Sequence, residues 1–124
     1  MAKSLMIVDD SAAIRKFTKR VIGRTKIKFN KIYEADNGKV ALEKLRTSRV
    51  DIILCDINMP EMNGREFLKK VRKLHGCADT KIIMVSTDNT NDIIDEIRSI
   101  GADNHITKPF TPEKLKEILI SYVT

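Results

Sequence analysis

The stretch SLMIVDD, residues 4–10, is an apolar run too short for a helix, and it stops on two aspartates. Similar runs lie at 29–35, 50–56, 81–86 and 104–107; the third reads VDIILCD and closes on Asp56, and the fifth leads through NHIT into Lys108-Pro109-Phe110. LMIV, IILC and IIMV contain no charge, as expected of strands covered on both faces. Helical spacing separates the runs: Val40, Ala41 and Leu45 share a face, as do Phe67, Leu68, Val71 and Leu74. Ile93, Ile94, Ile97 and Ile100 form a later stripe, and Leu115, Ile118, Leu119, Tyr122 and Val123 the last. Five βα units predict a doubly wound, five-stranded parallel α/β sheet with right-handed crossovers and five helices on its two faces. Ser11 and Thr111-Pro112-Glu113 mark helix starts, and Gly101 marks a stop.

A chain of 124 residues is the size of one domain. With 42% hydrophobic and 32% charged residues it has the composition of an ordinary globular protein, and no linker or repeat interrupts it. Residues 1–124 are therefore read as a single domain with no room for a separate output or DNA-binding domain. No apolar run approaches the ~18 residues of a membrane span, and MAKSLMIV is too short for a signal peptide, so no membrane insertion and a cytoplasmic location are expected. Cys55 and Cys77 have no disulfide or metal spacing and are read as structural thiols. The net charge is +6, and eight basic residues from Arg15 to Lys31 are unbroken by any acid. Such a run is a solvated face or a docking surface for an acidic partner. Nucleic-acid binding finds little support, since no helix-turn-helix, zinc finger or aromatic stacking platform accompanies it.

All strands of a parallel sheet point the same way, so their carboxyl ends converge on one edge, where open sheets of this type bind ligands. Asp9, Asp10, Asp56 and Lys108 are thereby predicted to share one site. Three carboxylates close together raise each other's pKa unless a cation joins them. Oxygen donors alone select a hard metal such as Mg²⁺, with Mn²⁺ or Ca²⁺ as substitutes.

Four motifs stand in register along the whole chain: IVDDS at 7–11, DINMPEMNG at 56–64, MVST at 84–87 and GADNHITKPF at 101–110. Together they resemble the receiver domains of two-component response regulators, of the single-domain CheY-like chemotaxis type, whose flavodoxin-like sheet has strand order 2-1-3-4-5. The resemblance implies that Asp56 is the phosphoacceptor, attacking a phosphohistidine of a histidine kinase or phosphotransfer domain, or a small acyl phosphate. It implies that Asp10 and Asp56 hold Mg²⁺ directly, Asp9 through a water, and Asn58 through its backbone carbonyl. Lys108 would pair with Asp56 and then with the phosphoryl group, held by a turn at Pro109 whose peptide bond is often cis in the family. Ser86 would donate to the phosphoryl group and draw the next loop inward, while Asn58 and Asp88 would set the lifetime of the modification.

The chain departs from the family pattern at His105, where the fifth strand usually carries Tyr or Phe. An imidazole there would turn inward with a pH dependence, or stay at the surface. A metal role lacks a partner, since His75, the other histidine, falls at the end of a different helix. The implied activity is that of a monomeric switch that catalyses only its own phosphorylation and dephosphorylation. Its target would be a protein such as a flagellar motor switch protein, reached through a face holding Ile94, Arg98, His105 and Lys116, with a phosphatase as a further partner. A phosphorelay intermediate is the alternative. A haloacid dehalogenase-like phosphatase would need a DxD motif, but the first strand ends in DDS and the third in DIN, with Asn58 in place of the second carboxylate.

Overall fold

The apolar runs form the interior of one parallel sheet in a computed structural model that describes residues 2–59, 62–74 and 76–123. Chain order is β1 (Ser4–Val8), α1 (Ala12–Thr25), β2 (Lys31–Ala35), α2 (Gly38–Thr47), β3 (Ile52–Asp56), α3 (Gly64–Val71), β4 (Lys81–Ser86), α4 (Asn91–Ile100), β5 (Asn104–Thr107) and α5 (Pro112–Val123). The strands pair in the order β2-β1-β3-β4-β5, all parallel. Three strands are shorter than their apolar runs suggest: β1 stops at Val8, β2 starts at Lys31 and β3 starts at Ile52. Phe29 and Val50 pack into the core before their ladders begin, since a side chain can be covered without its backbone joining the sheet, and β1 ends where its apolar run meets Asp9.

Side chains alternate along each strand, so the sheet has two apolar faces. Met6, Val8, Ile53, Cys55, Ile82 and Met84 pack under α2, α3 and α4. Leu5, Ile7, Ile52, Leu54, Ile83 and Val85 pack under α1 and α5, against Val21, Ile22, Leu115 and Leu119. The predicted caps hold: the Ser11 hydroxyl accepts from the Ile14 N–H at 3.2 Å, Thr111 accepts from Lys114, and Gly101 ends α4 with φ 128°. Of the isoleucine stripe on α4 only Ile97 is fully buried, which leaves this helix the most lightly anchored of the five. Both cysteines are buried and unpaired. His75 lies outside the described residues.

Candidate functional site

Register brings the acidic residues together. Val8 is level with Cys55 across the β1–β3 ladder, so Asp9 comes level with Asp56 one residue on. By the two-residue period both point to the α1 and α5 side of the sheet, with Ile7 and Leu54 below them. Lys108 follows β5 by one residue and has the parity of Ile106, which faces the same side. One oxygen from each of Asp9, Asp10 and Asp56 lies within 4.8 Å of the others, with Asp9 buried, Asp56 half-buried and Asp10 exposed. The grading from buried to exposed makes a small cup open to solvent on one side.

Lys108 reaches into this cup. Its Nζ donates to Asp9 Oδ2 at 3.1 Å and stands 3.5 Å from Asp56 Oδ2, so the ammonium is shared and leans to Asp9, where the pairing expected was with Asp56. Its backbone is fixed by a hydrogen bond from Lys108 N–H to the Ser86 carbonyl at 2.8 Å, and the Lys108–Pro109 peptide is cis. Asp9 is held three times more: its Oδ1 accepts the Ser11 N–H at 2.9 Å, its carbonyl accepts from Arg15 Nη1 at 2.6 Å, and its N–H donates to the Ala35 carbonyl at 3.1 Å.

Burial raises the Asp56 pKa from its ordinary value, the nearby charge of Lys108 opposes this, and Asp9 pushes it further up. The Asn58 N–H and Lys108 also donate to the carboxylate and lower it, but burial and Asp9 prevail. One ammonium does not offset three carboxylates. The donor set is all oxygen, negatively charged and open on one side, which fits a hard divalent cation that keeps several waters. Gly64 lets this arrangement close: a Cβ there would stand 2.5 Å from the Asp56 carbonyl and 2.7 Å from Ile57 Cα, so α3 could not begin so near the end of β3. The motif at 56–64 contains this glycine, but nothing local in the sequence says that it faces Asp56.

The remaining predicted residues are placed differently from one another. Ser86 is buried at the end of β4, and its Oγ accepts the Asp88 N–H at 2.9 Å, leaving the hydroxyl hydrogen free to donate elsewhere. Asp88 is exposed and turned toward α4, its carboxylate accepting the Thr90 N–H at 2.9 Å, while Thr90 caps that helix through Ile93. Asn58 is exposed beside Asp56. His105 is half-buried on β5 opposite Met84, and its pKa is lowered by burial first and then by the charges of Arg98 on α4 and Lys114 on α5. It therefore belongs to the α4–β5–α5 surface. Lys116, assigned to that surface from sequence, instead lines a groove with Lys26, Lys28 and Lys3 on the α1 side. The helical turn sends residue 114 to one side of α5 and 116 to the other, because the two stand about 200° apart.

The basic run of α1 also has a partner that the sequence did not reveal. Glu34 on β2 is 3.0 Å from both Arg15 Nε and Lys19 Nζ, and these two cations hold its carboxyl below its usual value. Arg15 thus links Glu34 to the backbone of Asp9.

A family model described as the response regulator receiver domain matches residues 5–120. A chemotaxis protein CheY homolog of Campylobacter jejuni is 39% identical over 93% of this chain and 88% of its own length. Chemotaxis protein CheY of Thermotoga maritima is 38% identical over 96% of each chain. Among solved structures, chemotaxis protein CheY4 of Vibrio cholerae superposes with a TM-score of 0.89 at 32% identity, covering 99% of this chain and all of the other.

Proposed function

The chain belongs to the response regulator receiver family as a homologue of CheY chemotaxis regulators, a family of signalling switches, and from that premise we propose that Asp56 is its phosphoacceptor. The observation that carries the proposal is the meeting of three carboxylates within 4.8 Å, with the Lys108 ammonium 3.5 Å from the half-buried carboxylate that ends β3, Asp56. An Asp56 oxygen attacks the phosphorus of a donor phosphohistidine or small acyl phosphate in line. The new O–P bond forms as the bond to the donor breaks, and the electron pair leaves with the donor. Such a transfer asks little covalent help of the protein beyond positioning and charge neutralisation. Asp9, Asp10, Asp56 and the Asn58 carbonyl would hold Mg²⁺, whose charge, when bound, offsets that on the phosphoryl oxygens.

Lys108 supplies the fixed positive charge on the opposite side, and its place between Asp9 and Asp56 lets it move to a phosphoryl oxygen without leaving the site. Ser86 uses its free hydroxyl hydrogen in the same way. Its Oγ already holds the Asp88 N–H, and Asp88 in turn holds Thr90 at the start of α4. A shift of Ser86 toward the phosphoryl group therefore pulls on a helix with Ile97 as its one fully buried residue, and the α4–β5–α5 surface with Ile94, Arg98 and His105 changes shape. The partner donor is a histidine kinase or phosphotransfer domain, and the target is a protein of the motor-switch type read on that surface. Asn58 and Asp88, both exposed, set how readily water or a phosphatase reaches the acyl phosphate. No helix among the described residues is long and apolar enough to cross a membrane.

Intact-mass measurement after incubation with Mg²⁺ and acetyl phosphate or phosphoramidate tests the assignment. One added phosphoryl group is expected, absent from Asp56→Asn and absent with a chelator. Steady hydrolysis of the donor at a rate unaffected by Asp56→Asn would sink it.

A further inference from the structure

The basic run that the sequence singles out is not one surface. α1 begins beside the acidic cup and, at 1.5 Å per residue, its fourteen residues carry the chain about 20 Å to the opposite edge of the sheet. Arg15 in the first turn and Lys19 at mid-helix are engaged by Glu34. Lys26 and Lys28, beyond the end, arrive at the amino-terminal edge, where the Asn30 N–H ties the loop to the Lys3 carbonyl at 2.8 Å. There they line a groove of about 370 Å³ with Lys3 and Lys116. Ile27, Ile120 and Val123 line it as well, and among the described residues no carboxylate does. A second concavity of about 520 Å³ shares Ala2 and Lys3 with it and adds Arg49; its one carboxylate, Asp51, already accepts the Ser4 N–H and pairs with Arg49.

Lys26 adds an independent observation. It caps α1 in the left-handed conformation, φ 64°, a position where glycine would carry no steric penalty. The lysine in this conformation is one of the residues that line the groove.

We propose that this groove docks an acidic segment of a protein partner, one that presents aliphatic side chains between its carboxylates. Four lysines around three aliphatic residues complement such a segment in both respects. A nucleic-acid backbone would use the lysines and leave the aliphatic lining without a role, and among the described residues the groove lining contains no aromatic side chain for stacking bases. The groove lies at the far edge of the sheet from Asp56, so a partner held here and a phosphodonor at the cup can be bound at once. The docking is thus independent of the phosphorylation state, and would tether the switch near its source or target.

The test is a titration of the isotope-labelled full chain with a short peptide alternating glutamate and leucine, followed by amide chemical shifts. Parallel titrations use the same peptide with glutamine for glutamate, the same peptide with serine for leucine, an oligothymidylate, and phosphatidylglycerol vesicles. Shifts confined to Lys26, Lys28, Lys116, Ile120 and their neighbours are expected, with at least ~10-fold weaker binding for Lys28→Glu combined with Lys116→Glu. Both control peptides should bind at least ~10-fold more weakly, since each removes one half of the complementarity. Asp56→Asn should bind the peptide as wild type does, and dispersed spectra of the double variant will show that it remains folded. Shifts spread over all lysine-bearing surfaces, or tighter binding of the oligonucleotide or vesicles at the groove, would overturn the proposal.

Discussion

The two edges of the sheet handle charge in opposite ways. At the amino-terminal edge the half-buried Arg72 is matched: it donates twice to the Gly101 carbonyl, once to Thr80 and once to Asp103, whose carboxylate also accepts the Ile82 N–H. Asp51 likewise joins the starts of β1, β3 and β4 through Ser4 and Lys81. At the carboxyl-terminal edge three carboxylates crowd one ammonium, and the Asp56 pKa is raised in consequence. Paired groups stabilise a fold, whereas like charges held together wait for a ligand that the fold itself does not contain. The difference teaches where this molecule keeps its stability and where it keeps its chemistry.

Breaking the matched edge should have the largest effect. Arg72→Ala removes the donors of four hydrogen bonds and leaves Asp103 without its cation, which predicts a loss of about 3 kcal/mol in urea unfolding. A loss below about 1 kcal/mol would mean that this edge is not where stability resides. Next comes Gly64→Ala, at the contact between α3 and the end of β3, where the added Cβ meets backbone that cannot yield easily; about 2 kcal/mol is expected, with weaker phosphorylation at Asp56.

The opposite sign is predicted at the crowded edge. Asp56→Asn should raise stability by about 1 kcal/mol at neutral pH in the presence of chelator. The Asp56 pKa is raised in the folded state, so its ionisation costs stability as pH rises through the folded value and costs nothing below the unfolded value. The advantage of the variant should therefore fade when unfolding is measured at pH below 4. Added Mg²⁺ should stabilise wild type and reverse the ranking, which links the crowding to the cation.

The smallest effect concerns Glu34. Its pKa is lowered by Lys19 and Arg15, so its contribution is present above the unfolded value and disappears as pH falls through the lower folded one. Since its side chain is 36% exposed, solvent screens the pairs, and Glu34→Gln should cost about 0.5 kcal/mol at neutral pH and still less in high salt. A cost above about 2 kcal/mol would show that the Arg15 link to Asp9 matters to the fold as well as to the site.

Much of the site was legible because parallel strands deliver their ends to one edge regardless of side-chain detail. Asp9, Asp10, Asp56 and Lys108 meet as the strand pattern requires. The partners of those residues were less legible. Asp88, expected at the phosphoryl site, has its carboxylate on Thr90, because an Asx turn two residues long competes well with any distant partner. Lys116 left the expected output surface and Lys114 joined it, since an error of two residues on a helix reverses the face.

By itself the sequence determined the alternation of strand and helix, the parallel sheet and the carboxyl-terminal edge as the place of chemistry, since hydrophobic periods of about two and 3.6 residues are local and repeat often enough to be read. Only the tertiary structure decided that Lys108 leans to Asp9, that Glu34 takes two cations from the basic run, and that the rest of that run reaches the opposite edge. Those outcomes depend on distances between residues far apart in the chain, which register and helix length set together and which no local pattern records.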